Sequence, residues 1–368
     1  MRIQGQQWRT VWLNADLSVG VIDQRALPHE LKTVCLNDVC DFERAIREMW
    51  IRGAPLIGVV AAYGVAVAMR QDSSVGALAA VEKTLLATRP TAVNLKWALR
   101  RMVDHLQPLG AGQRVEAAYA LAKEIEEDDV TMNRQLGAHG LELIRALALQ
   151  RPGRRINILT HCNAGWLGTV DWGTATSPIY QAFNEGLDVH VWVDETRPRN
   201  QGASLTAWEL GQHGVPHTLI VDNAGGHLMQ KGLVDMCIVG TDRVSAQGDV
   251  CNKIGTYLKA LAAHDNQVPF YVAMPSPTLD MSVHDGVKDI PIENREGEEI
   301  SHITGLHADG HVTQVRICPL TTPTTSNPGF DVTPARLVTA LISERGVCAA
   351  NQTAICAMFG QDIGNPDH

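Results

Sequence analysis

The spacing of apolar residues changes character near Arg151. Short alternating runs between Gln4 and Val21 predict β-strands. From Asp38 to Gln150 the apolar residues recur every three or four positions, which predicts a series of helices. We therefore expect residues 1–150 to form a small N-terminal domain of short strands plus a helical bundle. The first helix is predicted to bury one stripe of side chains: Phe42, Ala45, Ile46 and Met49.

Beyond Arg151, short apolar runs alternate with helical stretches. The runs are INILT, VHVWV, HTLIV, MCIVG and FYVAM. This alternation predicts a parallel sheet covered by helices, because the connections between parallel strands place helices on its faces. We expect residues 151–368 to form a larger Rossmann-like domain with a mostly parallel sheet, so the fold class is α/β.

The stretch from Gly53 to Met69 carries no charge. It is shorter than the roughly 20 residues that a bilayer-spanning helix needs. It also contains Pro55, Gly58 and Gly64. We expect a buried helix here and no membrane association. The first residues of the chain show no apolar signal segment, so the expected localisation is cytoplasmic.

The residue composition and net charge disfavour some classes of function. Hydrophobic residues make up 45% of the chain and charged residues 19%, which is typical of a globular protein. The net charge of −9, without a basic run, disfavours a nucleic-acid partner. The eight cysteines form no C-x-x-C pair, so we expect free thiols and no zinc site.

Polar, glycine-flanked segments follow the predicted strands. Ligands bind beyond the carboxyl ends of the strands in open parallel sheets, so these segments should meet at one site. No G-x-G-x-x-G, G-x-x-x-x-G-K-[ST] or H-E-x-x-H motif is present, and we expect neither an organic cofactor nor a metal. The segments are THCNAG, VDETRPRNQG, VDNAGGH, VGTDR with NKIG, and MPSP.

THCNAG, VDETRPRNQG and VGTDR with NKIGTY, together with IRGAPLIG and RPTAVNL, resemble the methylthioribose-1-phosphate isomerase family. That family shares its fold with the regulatory subunits of the exchange factor for eukaryotic translation initiation factor two. The resemblance spans nearly the whole chain. It implies a homodimer without metal or cofactor that interconverts 5-methylthio-α-D-ribose 1-phosphate and 5-methylthio-D-ribulose 1-phosphate in methionine salvage.

The resemblance also implies the site residues. Asp242 of GTDR corresponds to the catalytic acid and Cys162 of THCNAG to the catalytic cysteine. A buried structural thiol is the usual role of cysteine, and the position of Cys162 just after a predicted strand leaves the structural and functional roles equally open; the GTDR context alone likewise leaves Asp242 open as a helix cap. The implied substrate contacts are Arg52, Gly53, Ala54, Arg89, Gln201, Asn252 and Lys253.

The chemistry of the substrate agrees with these roles. Its anomeric oxygen carries phosphate, so ring opening requires an acid that protonates the ring oxygen. A desolvated Asp242 with a raised pKa could supply that proton. Hydrogen then moves from C2 to C1, either as a proton or as a hydride, and the sequence leaves both routes open. Arg52, Arg89 and Lys253 are the predicted phosphate-binding cations.

Some neighbouring residues are expected to have supporting roles. We expect His161 to orient other groups or to pack, and Arg197 and Arg199 to pair with Asp194 and Glu195.

Two alternative functions remain open at this point. The chain could isomerise another aldopentose 1-phosphate, such as 5-deoxyribose 1-phosphate or ribose 1,5-bisphosphate. It could also be a non-catalytic regulatory subunit of the exchange-factor type. The joint presence of Cys162 and Asp242 favours an enzyme.

Overall fold

The computed structural model describes residues 1–89, 92–322 and 324–360. Pro90 and Thr91 of the RPTAVNL motif lie outside the described residues. The chain forms a mixed α/β structure with a large, mostly parallel sheet, as predicted.

The N-terminal strands are short and antiparallel. Strands β1 and β2 form a hairpin, and β3, β4 and β5 form a three-stranded sheet in that order. Their bounds are β1 Arg2–Ile3, β2 Gln6–Gln7, β3 Val11–Leu13, β4 Val19–Ile22 and β5 Thr33–Leu36.

Helices follow, as the apolar spacing predicts. Asp38 caps the first helix by accepting a hydrogen bond from the Asp41 backbone N–H at 3.0 Å. Phe42, Ala45 and Ile46 are buried on that helix. Met49 lies beyond the end of the helix, so the prediction that it belongs to the same buried stripe was wrong. The bounds are α1 Val39–Arg47, α2 Ala54–Gln71, α3 Val75–Leu86, α4 Val93–Leu106 and α5 Ala111–Gln150.

Helix α2 runs through the middle of the helical layer. By length and composition alone it could cross a membrane, yet 83% of it is buried inside the protein, as expected for a core helix. Glycine permits close packing here, because a Cβ on Gly58 would lie 2.9 Å from the carbonyl oxygen of Asn94 on α4.

The main sheet has the strand order β18-β17-β12-β9-β6-β7-β8. All neighbouring pairs are parallel except β17 with β18. The β8 strand is at one edge, and its Thr218 and Leu219 are exposed, although its sequence predicted burial on both faces. The bounds are β6 Ile156–Thr160, β7 Val189–Asp194, β8 His217–Ile220, β9 Met236–Val239, β12 Phe270–Ala273, β17 Ala340–Ser343 and β18 Gly346–Cys348.

A second, smaller sheet has the order β13-β10-β11-β16, and β14 pairs with β15 in a separate hairpin. Sequence reasoning missed these strands because most are too short to show a period. Their bounds are β10 Arg243–Ser245, β11 Val250–Lys253, β13 Leu279–Asp280, β14 His302–Leu306, β15 Val312–Arg316 and β16 Phe330–Thr333.

The later helices connect these strands. A π-helical turn, Gly202–Thr206, leads directly into α7. The bounds are α6 Ser177–Asn184, α7 Ala207–His213, α8 Ala224–Gln230, α9 Thr256–Asp265, α10 Gly286–Asp289, α11 Glu298–Ser301 and α12 Gln352–Phe359.

The division of the chain at Arg151 stays a prediction. Helix α5 ends at Gln150, beside the predicted boundary. However, one buried cluster joins Met1 and Ile22 to Ile158 and Val191 of the main sheet. Side chains from both sides of the boundary therefore share a core.

Candidate active site

The predicted site residues converge at the carboxyl edge of the main sheet. They line a cavity of about 820 Å³, open mouth included, and a smaller one beside it. The larger cavity is lined by Arg52, Gly53, Ala54, Arg89, Cys162, Gln201, Asp242 and Lys253, and the smaller one by Asn252 together with several of these.

Cys162 follows strand β6 in a left-handed backbone conformation, with φ of 65°. Its N–H donates to the hydroxyl of Thr196 at 2.8 Å, and its carbonyl accepts from the hydroxyl of Thr206 at 2.7 Å. Only 6% of the residue is exposed, and it lines both cavities. The backbone around the thiol is therefore fixed on both sides.

Asp242 lies in the turn between β9 and β10. Its N–H donates to the carbonyl of Cys251 at 2.9 Å. The preceding Gly240 is needed for close approach, because a Cβ there would lie 2.5 Å from that of Ala164. Desolvation raises the pKa of Asp242, while the nearby cations Lys253 and Arg52 oppose that shift.

Gly53 and Ala54 bring the N-terminus of α2 to the cavity. Gly53 has φ of 97°, and a Cβ there would lie 2.3 Å from the carbonyl oxygen of Gly168. The first N–H groups of a helix lack partners within the helix and attract anions. Beside them, the Arg52 guanidinium donates to the Asn163 backbone oxygen at 2.9 Å and to its side-chain oxygen at 2.6 Å.

Arg89 and Lys253 add two further cations. Arg89 lies 3.4 Å from a carboxylate oxygen of Glu293, and the Lys253 ammonium donates to the Gly329 carbonyl at 2.9 Å. Desolvation lowers the pKa of both side chains. In the described ranges, neither Arg52 nor Lys253 has a carboxylate within salt-bridge distance, so both retain charge for an anionic ligand.

Gln201 and Asn252 supply amide groups. The Oε1 atom of Gln201 is buried, and no described residue donates a hydrogen bond to it. A buried acceptor of this kind indicates a ligand that donates. The Asn252 amide donates to the hydroxyl of Thr256 at 3.0 Å, which fixes it at the wall of the smaller cavity.

Sequence reasoning missed an alternating ladder of charges beside the cavity. Arg295 lies 2.7 Å from Glu293 and 2.7 Å from Glu299. Glu293 also faces Arg89, and Glu299 lies 2.8 Å from Arg199. Arg295 pairs with acids two and four positions away, but no spacing in the sequence connects this segment with Arg89 and Arg199, which lie about 200 and 100 positions from their partners.

The predicted pairing of Arg197 and Arg199 with Asp194 and Glu195 was wrong. Arg199 pairs with Glu299 instead, and Arg197 donates to backbone carbonyls, including that of Ile300 at 2.9 Å. Helix α11, which carries Glu299 and Ile300, therefore supplies the partners of both arginines.

Asp194 has different partners. It lies 2.9 Å from Nδ1 of His161 and 3.2 Å from the ammonium of Lys259. His161, Asp194 and Asp222 bring potential metal-ligand atoms within 4.8 Å of one another. The Lys259 ammonium neutralises Asp194 there, so we interpret this group as structural, in line with the supporting role expected for His161.

Part of the cavity wall is apolar. Met49, beyond the end of α1, faces this space together with Ile57, Ile290 and Phe330. These side chains stand alongside the cations, so the cavity offers one ligand both an apolar and an anion-binding surface.

Fold and cavity together define an α/β protein with a cation-rich site at the carboxyl edge of a parallel sheet. Residues 50–350 match the model of the initiation factor 2 subunit family. The chain is 62% identical over 361 residues to a methylthioribose-1-phosphate isomerase of Rhizobium meliloti, covering 98% of this chain and 99% of that protein. The chain therefore belongs to the initiation factor 2 subunit family.

Solved structures agree with this assignment. The fold is similar to 5-methylthioribose 1-phosphate isomerase from Pyrococcus horikoshii, with a TM-score of 0.82, 38% identity and coverage of 96% of each chain. It is also similar to the delta subunit of translation initiation factor eIF-2B from A. fulgidus, with a TM-score of 0.78 and 36% identity, covering 96% of this chain and 99% of that one.

Proposed function

We propose that this chain is an aldose–ketose isomerase that interconverts 5-methylthio-α-D-ribose 1-phosphate and 5-methylthio-D-ribulose 1-phosphate. The observation that carries the proposal is that Cys162 and Asp242 line the same cavity as the cations Arg52, Arg89 and Lys253. The similarity of nearly the full chain to isomerases of this specificity supports it.

The phosphate binds to Arg52, Arg89 and Lys253 and to the N–H groups at the start of α2. These groups favour a dianion through charge-assisted hydrogen bonds and the dipole of the helix. The substrate phosphate replaces Glu293 as the partner of Arg89, since their 3.4 Å contact is the longest in the ladder of charges. The buried Oε1 of Gln201 accepts a hydrogen bond from a sugar hydroxyl.

Asp242 acts as the general acid. Its raised pKa keeps a larger fraction of the carboxyl protonated than in water. The acid donates its proton to the ring oxygen, the bond between that oxygen and C1 breaks, and the electron pair stays on the oxygen. Positive charge then develops at C1.

Hydrogen transfer completes the isomerisation by one of two balanced routes. In the first, Cys162 as thiolate removes the C2 proton, an enol phosphate forms, and a proton returns to C1 as the C2 carbonyl is made. In the second, the C2 hydrogen moves with its electron pair to C1, and the 2-hydroxyl loses its proton. Deuterium from D2O enters C1 only in the first route. Both are redox-neutral within one substrate, so the proposed reaction needs no external electron carrier.

The apolar wall favours a methylthio group over a second phosphate. Met49, Ile57 and Ile290 give the thioether a surface that excludes water. The additional cations of the cavity wall are already paired, Arg199 and Arg295 with Glu299 and Arg243 with Asp280. Ribose 1,5-bisphosphate would leave its second phosphate against neutralised groups, so it is the poorer substrate.

A purely regulatory role is less well supported. A regulatory subunit has no need for a desolvated acid and a buried thiol in the same cation-lined cavity. We further propose, on the family resemblance, that the enzyme is a cytoplasmic homodimer and acts in methionine salvage.

A substrate panel tests the proposal. The values of kcat/KM are measured for the 1-phosphates of 5-methylthioribose, 5-deoxyribose and ribose, and for ribose 1,5-bisphosphate, in buffer containing a chelator. Removing the thioether from an apolar pocket should reduce kcat/KM about 10- to 200-fold. Higher kcat/KM with the bisphosphate would replace this assignment by the alternative isomerase.

A further inference from the structure

Glu209 is a buried carboxylate behind the active-site wall. It lies on α7, and none of its surface is exposed to solvent. Its Oε2 atom accepts hydrogen bonds from the Asn163 amide and from the Leu167 backbone N–H, each at 3.2 Å. Its Oε1 atom accepts from the hydroxyl of Tyr180, also at 3.2 Å. No residue assigned above to catalysis or substrate binding contacts it directly.

Asn163 connects this carboxylate to the cavity. Its Nδ2 donates to Glu209 and to the Thr206 hydroxyl, both at 3.2 Å, so its Oδ1 is left facing the other way. That oxygen accepts from the Arg52 guanidinium at 2.6 Å. A reversed amide would place an NH2 group against the guanidinium and an oxygen against the carboxylate. Glu209 therefore determines that the Arg52 guanidinium contacts the side-chain oxygen of Asn163 and not its NH2 group.

The backbone at Gly165 passes very close to the Glu209 carboxylate. A Cβ on Gly165 would lie 1.4 Å from Oε1 of Glu209, so only glycine lets the loop after Cys162 pass this close. The charged and titratable groups facing Glu209 are Tyr180 and, through Asn163, Arg52. Desolvation raises the pKa of Glu209 to about 7, and the positive charge of Arg52 opposes that shift.

We propose that Glu209 is a positioning residue for substrate binding, which orients the Asn163 amide and thereby aims the Arg52 guanidinium at the substrate phosphate. This inference rests on the proposed function, because it assigns Arg52 to phosphate binding. Phosphate is present in the ground state and in the transition state alike. A misaimed Arg52 therefore weakens the binding of both states, which raises KM more than it lowers kcat.

Three substitutions separate positioning from general stability. Glu209→Gln keeps an acceptor toward Asn163 and Leu167 and can turn its NH2 toward Tyr180, so KM should stay within about 3-fold of the wild-type value. Glu209→Leu removes the acceptors at similar volume, and KM should rise about tenfold or more, as for a lost hydrogen bond to a charged group. Asp129→Asn is the matched control: its carboxyl is also buried and has its pKa raised to about 7, but it accepts hydrogen bonds from the Asn133 amide and the Val170 N–H instead of from Asn163.

The decisive experiment is a double-mutant cycle between Glu209→Leu and Arg52→Ala, with 5-methylthioribose 1-phosphate as the substrate. If Glu209 acts through Arg52, Glu209→Leu raises KM in the wild-type background and leaves it nearly unchanged when Arg52 is already Ala. Equal effects in both backgrounds, or a KM change below 2-fold in the first, would overturn the inference. If Glu209→Leu does not fold, Asn163→Ala takes its place in the cycle, with the same expectations.

The same assays distinguish the two levels of proposal. Absence of wild-type turnover with 5-methylthioribose 1-phosphate overturns the proposed function and with it this inference. Wild-type turnover with additive effects in the cycle overturns only the role of Glu209.

Discussion

Lys253 and Phe330 are direct cross-strand partners on β11 and β16, and the Lys253 ammonium lies 4.5 Å from the centre of the Phe330 ring. The same ammonium donates to the carbonyl of Gly329. A cation above an aromatic face is attracted by the ring quadrupole. The pair thus holds a positive charge at the cavity wall without neutralising it by a carboxylate.

This arrangement predicts that Lys253→Ala acts through binding. The KM for the sugar phosphate should rise about tenfold or more, while kcat falls less, because the phosphate contact is made before and during the reaction. Arg89→Ala should behave in the same way, and Phe330→Leu should raise KM to a smaller extent. Lys288→Ala is the control, since that side chain is 79% exposed. A loss confined to kcat would place Lys253 at the reacting carbons instead.

Asp242→Asn should abolish most of the turnover and leave the fold intact. Asparagine retains hydrogen bonding but has no acidic proton, so kcat should drop roughly 10² to 10⁴-fold. Thermal unfolding and substrate binding, measured on the same preparation, should stay close to wild type. A kcat near the wild-type value would remove Asp242 from the role of acid.

The pH profile should respond to Glu293. Its negative charge contributes to the raised pKa of Asp242. The acid is active when protonated, so kcat/KM of the wild type should fall as the pH rises through that raised pKa. Glu293→Gln lowers the pKa of Asp242, and the alkaline limb should therefore move to lower pH. Glu298→Gln, an exposed change in the same segment, should leave the limb in place. A shift toward higher pH would contradict the assignment.

Two buried cysteines should respond in opposite ways. Cys162→Ala should lower kcat about 10²-fold or more with little change in melting temperature, if the thiol takes part in proton transfer. Cys237 is fully buried in the core of the main sheet, so Cys237→Ala should lower the melting temperature and leave kcat nearly unchanged. Both quantities are measured for each variant. A destabilised but fully active Cys162→Ala protein would mark the thiol as structural.

The sequence predicted those features that depend on local pattern. The helices from α2 to α5 and the strands from β6 to β9 follow from periodicity, and the site residues Cys162, Gln201 and Asp242 lie in the segments after these strands. The exception at Met49 has a local cause: the helix ends at Arg47, and Met49 itself takes φ of 57°. Its side chain then lines the cavity.

The features that could not be predicted depend on tertiary contacts. Glu293 and Arg295 lie in a polar segment with no motif, Glu299 lies on the short helix α11 that follows it, and only the fold brings them to Arg89 and Arg199. Glu209 was missed for a similar reason: one glutamate on a short helix indicates an exposed side chain, and burial is visible only when Asn163 and Tyr180 surround it.

The assignment of this chain as a sugar-phosphate isomerase can be tested by following the reaction itself by NMR. Purified protein is added to 5-methylthio-α-D-ribose 1-phosphate and, separately, to 5-methylthio-D-ribulose 1-phosphate, with Asp242→Asn as the inactive control. If the chain is this isomerase, the ³¹P signals of both samples converge on the same mixture of the two sugar phosphates, and Asp242→Asn leaves each sample unchanged over the same period. Persistence of the starting signal in both wild-type samples, with the protein folded, would contradict the assignment of this chain as an isomerase.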